Sequence, residues 1–155
     1  MAGPLASGKI VSRIDLSATR FAIVVAEWNE EVTDALYHGA VSSLLAHGVK
    51  KENILKKSVP GSFELALGAQ WMAEREGIDA VICLGCVIQG ETPHFDYICQ
   101  AAGYGIMEVG IKTGKPVIFG VLTTLNKQQA LDRAGGKYGN KGEEAALTAI
   151  KMLSF

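Results

Sequence analysis

The sequence predicts a single-domain, three-layer α/β/α sandwich around a central, mainly parallel four-stranded sheet. Three observations carry that prediction: four short apolar segments recur, each is followed by residues at helical spacing, and glycine, proline or asparagine marks the junctions. Crossovers between parallel strands should be right-handed. At 155 residues the chain fits one domain, and a domain of that size buries roughly 70% of its unfolded surface without disulfides or structural metals.

Taken in order, residues 1–19 read as an N-terminal tail, with an extra short strand near Ile10–Arg13, and residues 20–155 as the domain. Phe21–Ala26 (FAIVVA) is an unbroken apolar run, as expected of a strand covered on both faces. Asn29 offers an N-cap, Glu30 and Glu31 suit a first turn, and Val32, Leu36, Gly39, Ala40 and Leu44 fall at helical spacing before Gly48. The second strand is Ile54–Val59, ended by Pro60-Gly61, with a helix over 62–76 and Gly77 after it. The third strand, Ala80–Cys86, leads through a glycine-containing loop into a helix over 94–113. Gly114 and Pro116 separate that helix from the fourth strand, Val117–Leu122. Two helical stretches follow, over 126–134 and 143–153, split by the loop GGKYGNKG.

Composition narrows the function classes. Hydrophobic residues make up 48% and charged residues 20%, which excludes a disordered chain and points to surface buried against other copies. The net charge of −1, without long runs, leaves no basic stripe for nucleic acid. No apolar run approaches the ~20 residues needed to cross a bilayer. Met1–Gly8 lacks a signal peptide's charged start and apolar core. With three cysteines, the expected compartment is the cytoplasm.

In open α/β sheets, ligands sit beyond the carboxyl ends of the strands, so the segments to watch are 27–29, 60–64, 86–94 and 123–126. Two motifs near them mimic familiar chemistry. Cys83 and Cys86 form a C-x-x-C beside His94 and Cys99, but Cys83 lies inside an apolar strand, and an offset of three points the thiols to opposite faces. Small buried hydrophobes are the default reading there, with no metal site. Gly85 to Gly90 followed by Glu91-Thr92 imitates a P-loop, yet glutamate replaces the lysine and would repel a nucleotide's phosphates. Free amides at the start of the following helix can still hold one phosphate.

Two stretches stand out. GETPHFDY, over 90–97, closes the third strand and opens a helix, and its His94 exchanges protons near neutral pH. The alternatives for His94 are helix capping and packing against aromatic neighbours. RAGGKYGNKG, over 133–142, sets three cations among glycines, and Arg133 can grip a phosphate bidentately. A solvated turn at a helix C-terminus is the alternative there.

With VPGSFE (59–64), these stretches resemble the lumazine synthase family, in order and spacing, and the resemblance runs from about Arg20 to Met152. It implies a flavodoxin-like fold. It also implies condensation of 5-amino-6-(D-ribitylamino)uracil with 3,4-dihydroxy-2-butanone 4-phosphate to 6,7-dimethyl-8-ribityllumazine, phosphate and water, without metal or organic cofactor. His94 matches the family's proton-transfer histidine. Trp28 falls where an aromatic, usually phenylalanine, stacks on the pyrimidine. Ser62, Phe63 and Glu64, the last expected as a buried carboxylate, match the segment that reads the pyrimidine and ribityl chain. Cys86, Val87 and Ile88 match the floor, largely through backbone groups. Glu91 (through its amide), Thr92 and Arg133 match the phosphate contacts, Lys141 adds positive potential, and Phe119 matches an aromatic lent by a neighbouring subunit.

Gln89, where a basic residue is frequent, and Tyr138, where histidine is common, depart from the pattern. The resemblance further implies a homo-oligomer, with pentamers closing into an icosahedral shell and sites shared between adjacent subunits. A riboflavin synthase is the expected protein partner. An archaeal-type riboflavin synthase and a non-catalytic shell protein are the rival readings. VPGSFE with GETPHFDY opposes the first, and intact His94 and Arg133 oppose the second.

Overall fold

A computed structural model of the chain describes residues 14–155; the strand expected over 10–13 lies outside them. Four strands, β1 (Phe21–Ala26), β2 (Ile54–Val59), β3 (Ala80–Ile88) and β4 (Val117–Thr124), form one sheet in the order β2-β1-β3-β4, and every pairing is parallel. Helices α1 (Glu30–Ala46), α2 (Leu65–Ala73), α3 (His94–Thr113), α4 (Lys127–Leu131) and α5 (Lys141–Leu153) complete the three layers.

The unbroken apolar runs have a direct cause. Along β1, Phe21, Ile23 and Val25 enter one core layer with Leu36 and Leu44 of α1 and Ile150 of α5. The alternate residues Ala22, Val24 and Ala26 enter the other, with Leu65 and Ala69 of α2 and Ile106 of α3. Both faces of the strand are covered, so a polar side chain at either parity would be buried. The edge strand β2 differs: Lys56, Lys57 and Ser58 are exposed along it, and charged side chains on an edge discourage further pairing.

Element positions follow the expected order, with corrections at the ends. The stretch expected as one helix over 62–76 begins as a 3₁₀ turn, Ser62–Glu64, and its α-helix stops at Ala73. Strands β3 and β4 each run two residues further than expected, pairing Val87 with Thr123 and Ile88 with Thr124. The expected helix over 126–134 is confined to α4, with Asn126 capping it by accepting the Gln129 amide at 2.9 Å. The GGKYGNKG stretch is not a plain loop. It holds two short antiparallel strands, β5 (Ala134–Gly136) and β6 (Gly139–Asn140), and α5 begins at Lys141 rather than Glu143.

Asn29 corrects the cap expected for α1. It sits in the left-handed region at φ 61°, makes no side-chain cap, and instead donates from Nδ2 to the Cys86 carbonyl at 2.9 Å. It is the only non-glycine residue with positive φ among those described, and asparagine tolerates that conformation better than most side chains. No helix among the described residues is long and apolar enough to cross a membrane.

Helices α1 and α5 approach closely because two glycines meet there. A Cβ on Gly142 would collide with the Leu36 carbonyl oxygen, and one on Gly39 would overlap the Asn140 side chain. Asn140 caps α5 by accepting the Gly142 amide at 2.8 Å and donates to the Ala35 carbonyl of α1 at 2.9 Å. Gly142→Ala should therefore cost at least about 2 kcal/mol, an overpacking penalty met by backbone with nowhere to move. Gly90→Ala, where a Cβ meets nothing within 4 Å, should stay within about 0.5 kcal/mol of the parent. Denaturant unfolding of the two variants measures the contrast, and equal stability would contradict the α1–α5 contact.

Candidate active site

The carboxyl ends of the three strands β2, β1 and β3 bring one group of residues together. The Glu27 amide donates to the Val59 carbonyl at 2.9 Å and the Trp28 amide to the Pro60 carbonyl at 3.2 Å, continuing the β1–β2 ladder past both strands. Trp28, 68% exposed, lies over the turn that follows β2: a Cβ on Gly61 would sit 3.0 Å from its ring and 3.1 Å from Glu64 Oε2. A side chain at Gly61 would crowd the aromatic surface and the carboxylate, which lie side by side over this turn.

Glu64, expected as a buried carboxylate, is exposed in the single chain. Its position is set locally, since Oε2 accepts the Gly61 amide at 3.0 Å. Phe63 points outward at 57% exposure, whereas Ser62 is buried, and its hydroxyl packs where a Cβ on Gly85 would fall. Cys86 is buried and Val87 and Ile88 are half-buried at the end of β3, so the trio presents mostly backbone. One of those backbone groups, the Cys86 carbonyl, is already engaged by Asn29.

Glu91, Thr92 and His94 are all exposed between β3 and α3. His94 is the first residue of α3, directly after the helical-φ/ψ Pro93 at its N-cap. Proline's fixed φ is pre-set for a helix start, where its missing N–H costs nothing. Gln89 is held at this strand end by its amide, which donates to the Thr124 carbonyl at 2.9 Å.

A second group lies elsewhere. Phe119, Arg133 and Lys141 line a groove of about 990 Å³ along β4, the open edge of the sheet, between α3 and α5. None of Trp28, Ser62, Phe63, Glu64, Glu91, Thr92 or His94 lines that groove. Arg133 is half-buried; Nη1 donates to the Gln129 carbonyl at 3.0 Å, and the guanidinium lies 4.8 Å from the Tyr138 ring centre. Lys141 pairs with Glu144 at 2.8 Å. The pair lies within the first turn of α5.

The cysteines sit as their spacing requires. Cys83 belongs to the core layer under α2 and α3, and Cys86 to the opposite layer under α1 and α5. Burial pushes the Cys83 thiol up to about 12 and the Cys86 thiol to about 11, from an ordinary 9.0. Burial, and then the nearby Asp96, raises Cys99 as well. Among the described residues no group of three or more His, Cys, Asp or Glu side chains is placed to hold a metal ion.

A family profile described as 6,7-dimethyl-8-ribityllumazine synthase matches residues 18–155. The chain belongs to the lumazine synthase family. The protein of that name from Cytophaga hutchinsonii is 68% identical over 140 residues, spanning 90% of this chain and 88% of its own length. Those of Parabacteroides distasonis and Bacteroides fragilis are 57% identical over 141 residues and 56% identical over 136, covering 91% and 88% of this chain and 88% and 95% of their own lengths. Membership agrees with the parallel sheet order and accounts for the three motifs arriving together.

Sequence reasoning missed two residues that build the lumazine synthase site's frame. Asn29 ties the Trp28 turn to β3 across 57 positions, and Asn140 ties the Arg133 hairpin to α1 across 105. No local signal marks such bonds, because an asparagine before a helix reads as a cap in either case.

The thiols give a prediction with a pH direction. With Cys83 at about 12, its thiolate fraction at pH 8 is on the order of one in ten thousand. Iodoacetamide at pH 8 should therefore leave Cys83 and Cys86 unmodified in the folded protein, with labelling rising only as pH climbs through 11 and 12. Mass spectrometry of labelled peptides reads this directly. Rapid labelling of Cys83 at pH 8, or turnover lost to EDTA and regained with zinc, would contradict the buried, non-ligating assignment.

Proposed function

We propose that this chain condenses 5-amino-6-(D-ribitylamino)uracil with 3,4-dihydroxy-2-butanone 4-phosphate, releasing 6,7-dimethyl-8-ribityllumazine, phosphate and water, the penultimate step of riboflavin biosynthesis. The observation that carries the reading is membership of the lumazine synthase family over residues 18–155. Residues 20–155 act as one domain and 1–19 as its tail. The cytoplasm is its compartment.

The chemistry asks for placement and proton transfer rather than a cofactor. The amine attacks the ketone to form an imine, phosphate leaves, and a second loss of water closes the ring. Holding two reactants in register supplies much of the rate, and a single titratable imidazole serves the proton transfers. His94, exposed at the head of α3, takes that role. Trp28 stacks on the pyrimidine, with Ser62, Phe63 and the free oxygen of Glu64 serving the ring and ribityl hydroxyls. Cys86, Val87 and Ile88 form the floor. Glu91 and Thr92 offer backbone and hydroxyl donors to the phosphate, and Arg133 closes on it.

The site is completed between subunits. Trp28, Glu64 and His94 stand at the strand ends, whereas Phe119 and Arg133 line the groove on the open β4 edge. Copies related head-to-tail around a ring repeat one such interface, bringing the groove of one to the strand ends of the next. A pentamer is the ring proposed, closing further into an icosahedral shell that can enclose a riboflavin synthase. Sedimentation separates a ring of five 16.5-kDa chains from a shell many times heavier.

Supplying both substrates and following lumazine fluorescence together with phosphate release tests the activity; neither signal would refute it. His94→Ala should lower kcat by about 10²–10⁴-fold at most, the usual contribution of an acid–base group, with pyrimidine binding preserved. Arg133→Ala should raise KM for the sugar phosphate about 10–150-fold, the value of a charge-assisted bond. Lys141→Ala should do much less, since Glu144 already answers its charge. Unfolding the His94→Ala and Arg133→Ala proteins, mixing them equally and reassembling should restore activity to about a quarter of the parent's, because random placement fully equips that share of interfaces. Verified mixed rings no better than the mean of the two mutants would refute the shared site.

A further inference from the structure

We propose that Tyr138 is the positioning residue for Arg133, holding the guanidinium in a preset orientation for the phosphate. The inference rests on the reading of Arg133 as the phosphate-gripping residue. A long cationic side chain loses rotamer freedom when it closes on an anion, so restraint before binding lowers that cost. In this chain both the backbone and the guanidinium of Arg133 are held. The Arg133 amide donates to the Ala130 carbonyl at 3.0 Å, and its carbonyl accepts the Lys141 amide at 2.9 Å. Nη1 is directed to the Gln129 carbonyl at 3.0 Å. The ring of Tyr138 adds a restraint on the guanidinium, whose carbon lies 4.8 Å from its centre, inside the range of a cation–π contact.

The ring is itself fixed in place. Tyr138 sits at the tip of the hairpin formed by β5 and β6, where Gly136 pairs with Gly139. Its amide donates to the Asp132 carbonyl at 2.7 Å, folding the tip back over the residue that precedes Arg133. Left-handed glycines on either side, Gly135 at φ 108° and Gly139 at φ 76°, allow so tight a return. Asn140 then anchors the hairpin to α1. Lys137 also approaches the ring, its Nζ 5.1 Å from the centre. An aromatic face attracts both cations, which an aliphatic side chain of similar size would not. At 49% exposure, Tyr138 contributes little to the core, so its replacement leaves the fold in place.

The test compares assembled Tyr138→Leu, Tyr138→Phe, Arg133→Ala and the Arg133→Ala/Tyr138→Leu double variant with the parent. It measures KM for each substrate, kcat, and competitive inhibition by inorganic phosphate. Tyr138→Leu should raise KM for the sugar phosphate and the inhibition constant for phosphate together, about two- to fivefold, the strength of an exposed cation–π contact. Its kcat and its KM for the pyrimidine should match the parent's. Tyr138→Phe, which keeps the ring, should match the parent throughout, and the double variant should be no worse than Arg133→Ala alone. Equal losses in the leucine and phenylalanine variants would overturn the proposal, as would a further loss in the double variant, which would route the effect through another group. If Tyr138→Leu changes nothing while Arg133→Ala raises KM, the positioning role falls and the reading of Arg133 stands. If Arg133→Ala changes nothing either, both fall.

Discussion

The strand-end group of site residues depends on β1 and β3 lying side by side, in parallel, at the centre of the sheet. Their register, from Phe21 opposite Ala80 to Val25 opposite Leu84, brings their carboxyl ends to the same edge. A parallel pair buried on both faces leaves backbone groups to extend only past its ends. There the ladder is continued by loops: Glu27 onto the last residue of β2, Trp28 onto Pro60 just after it, and Gln89 onto β4. Asn29 spans β1 to β3 directly through the Cys86 carbonyl. The loops are therefore short, hydrogen-bonded and closely placed, which is what a site that works by positioning requires.

A second constraint acts at a distance from the strand ends. Gly142 lets α5 come up against the Leu36 carbonyl of α1, Gly39 makes room for the Asn140 side chain, and Asn140 closes the contact with bonds in both directions. Because the Arg133 hairpin runs directly into α5, its placement relative to the sheet follows from that packing. Small residues at one helix crossing thus govern where a cation stands at the surface. Both Arg133 and Lys141 line the groove, the former beside Tyr138 and the latter paired with Glu144.

The separation of the two residue groups has a physical consequence. A groove on a strand edge without a partner among the described residues, walled by the exposed Met107, Ile111, Phe119 and Phe155, presents apolar surface and strand backbone at once, and both favour association. Within one chain the strand-end residues and the groove residues stand apart, and the shared site proposed above depends on a contact of this kind.

The sequence by itself determined the layered α/β class, the order of the elements, the opposed cysteines and the identity of the motif residues. These rest on local periodicity and on spacing, which a chain displays before it folds. The apolar parity of Phe21–Ala26 and the C-x-x-C offset are enough to place side chains on faces. Only the tertiary structure decided the rest. Asn29 reads as a cap yet reaches β3, because its left-handed backbone turns the side chain away from its own helix. The GGKYGNKG stretch reads as a loop yet pairs as a hairpin, since glycines carry no apolar pattern and their partners are set by α1 and Asn140. Glu64 reads as buried and stands exposed in the single chain. Burial and neighbourhood are properties of packed surfaces, and residues far apart in sequence meet only once the sheet order β2-β1-β3-β4 is chosen.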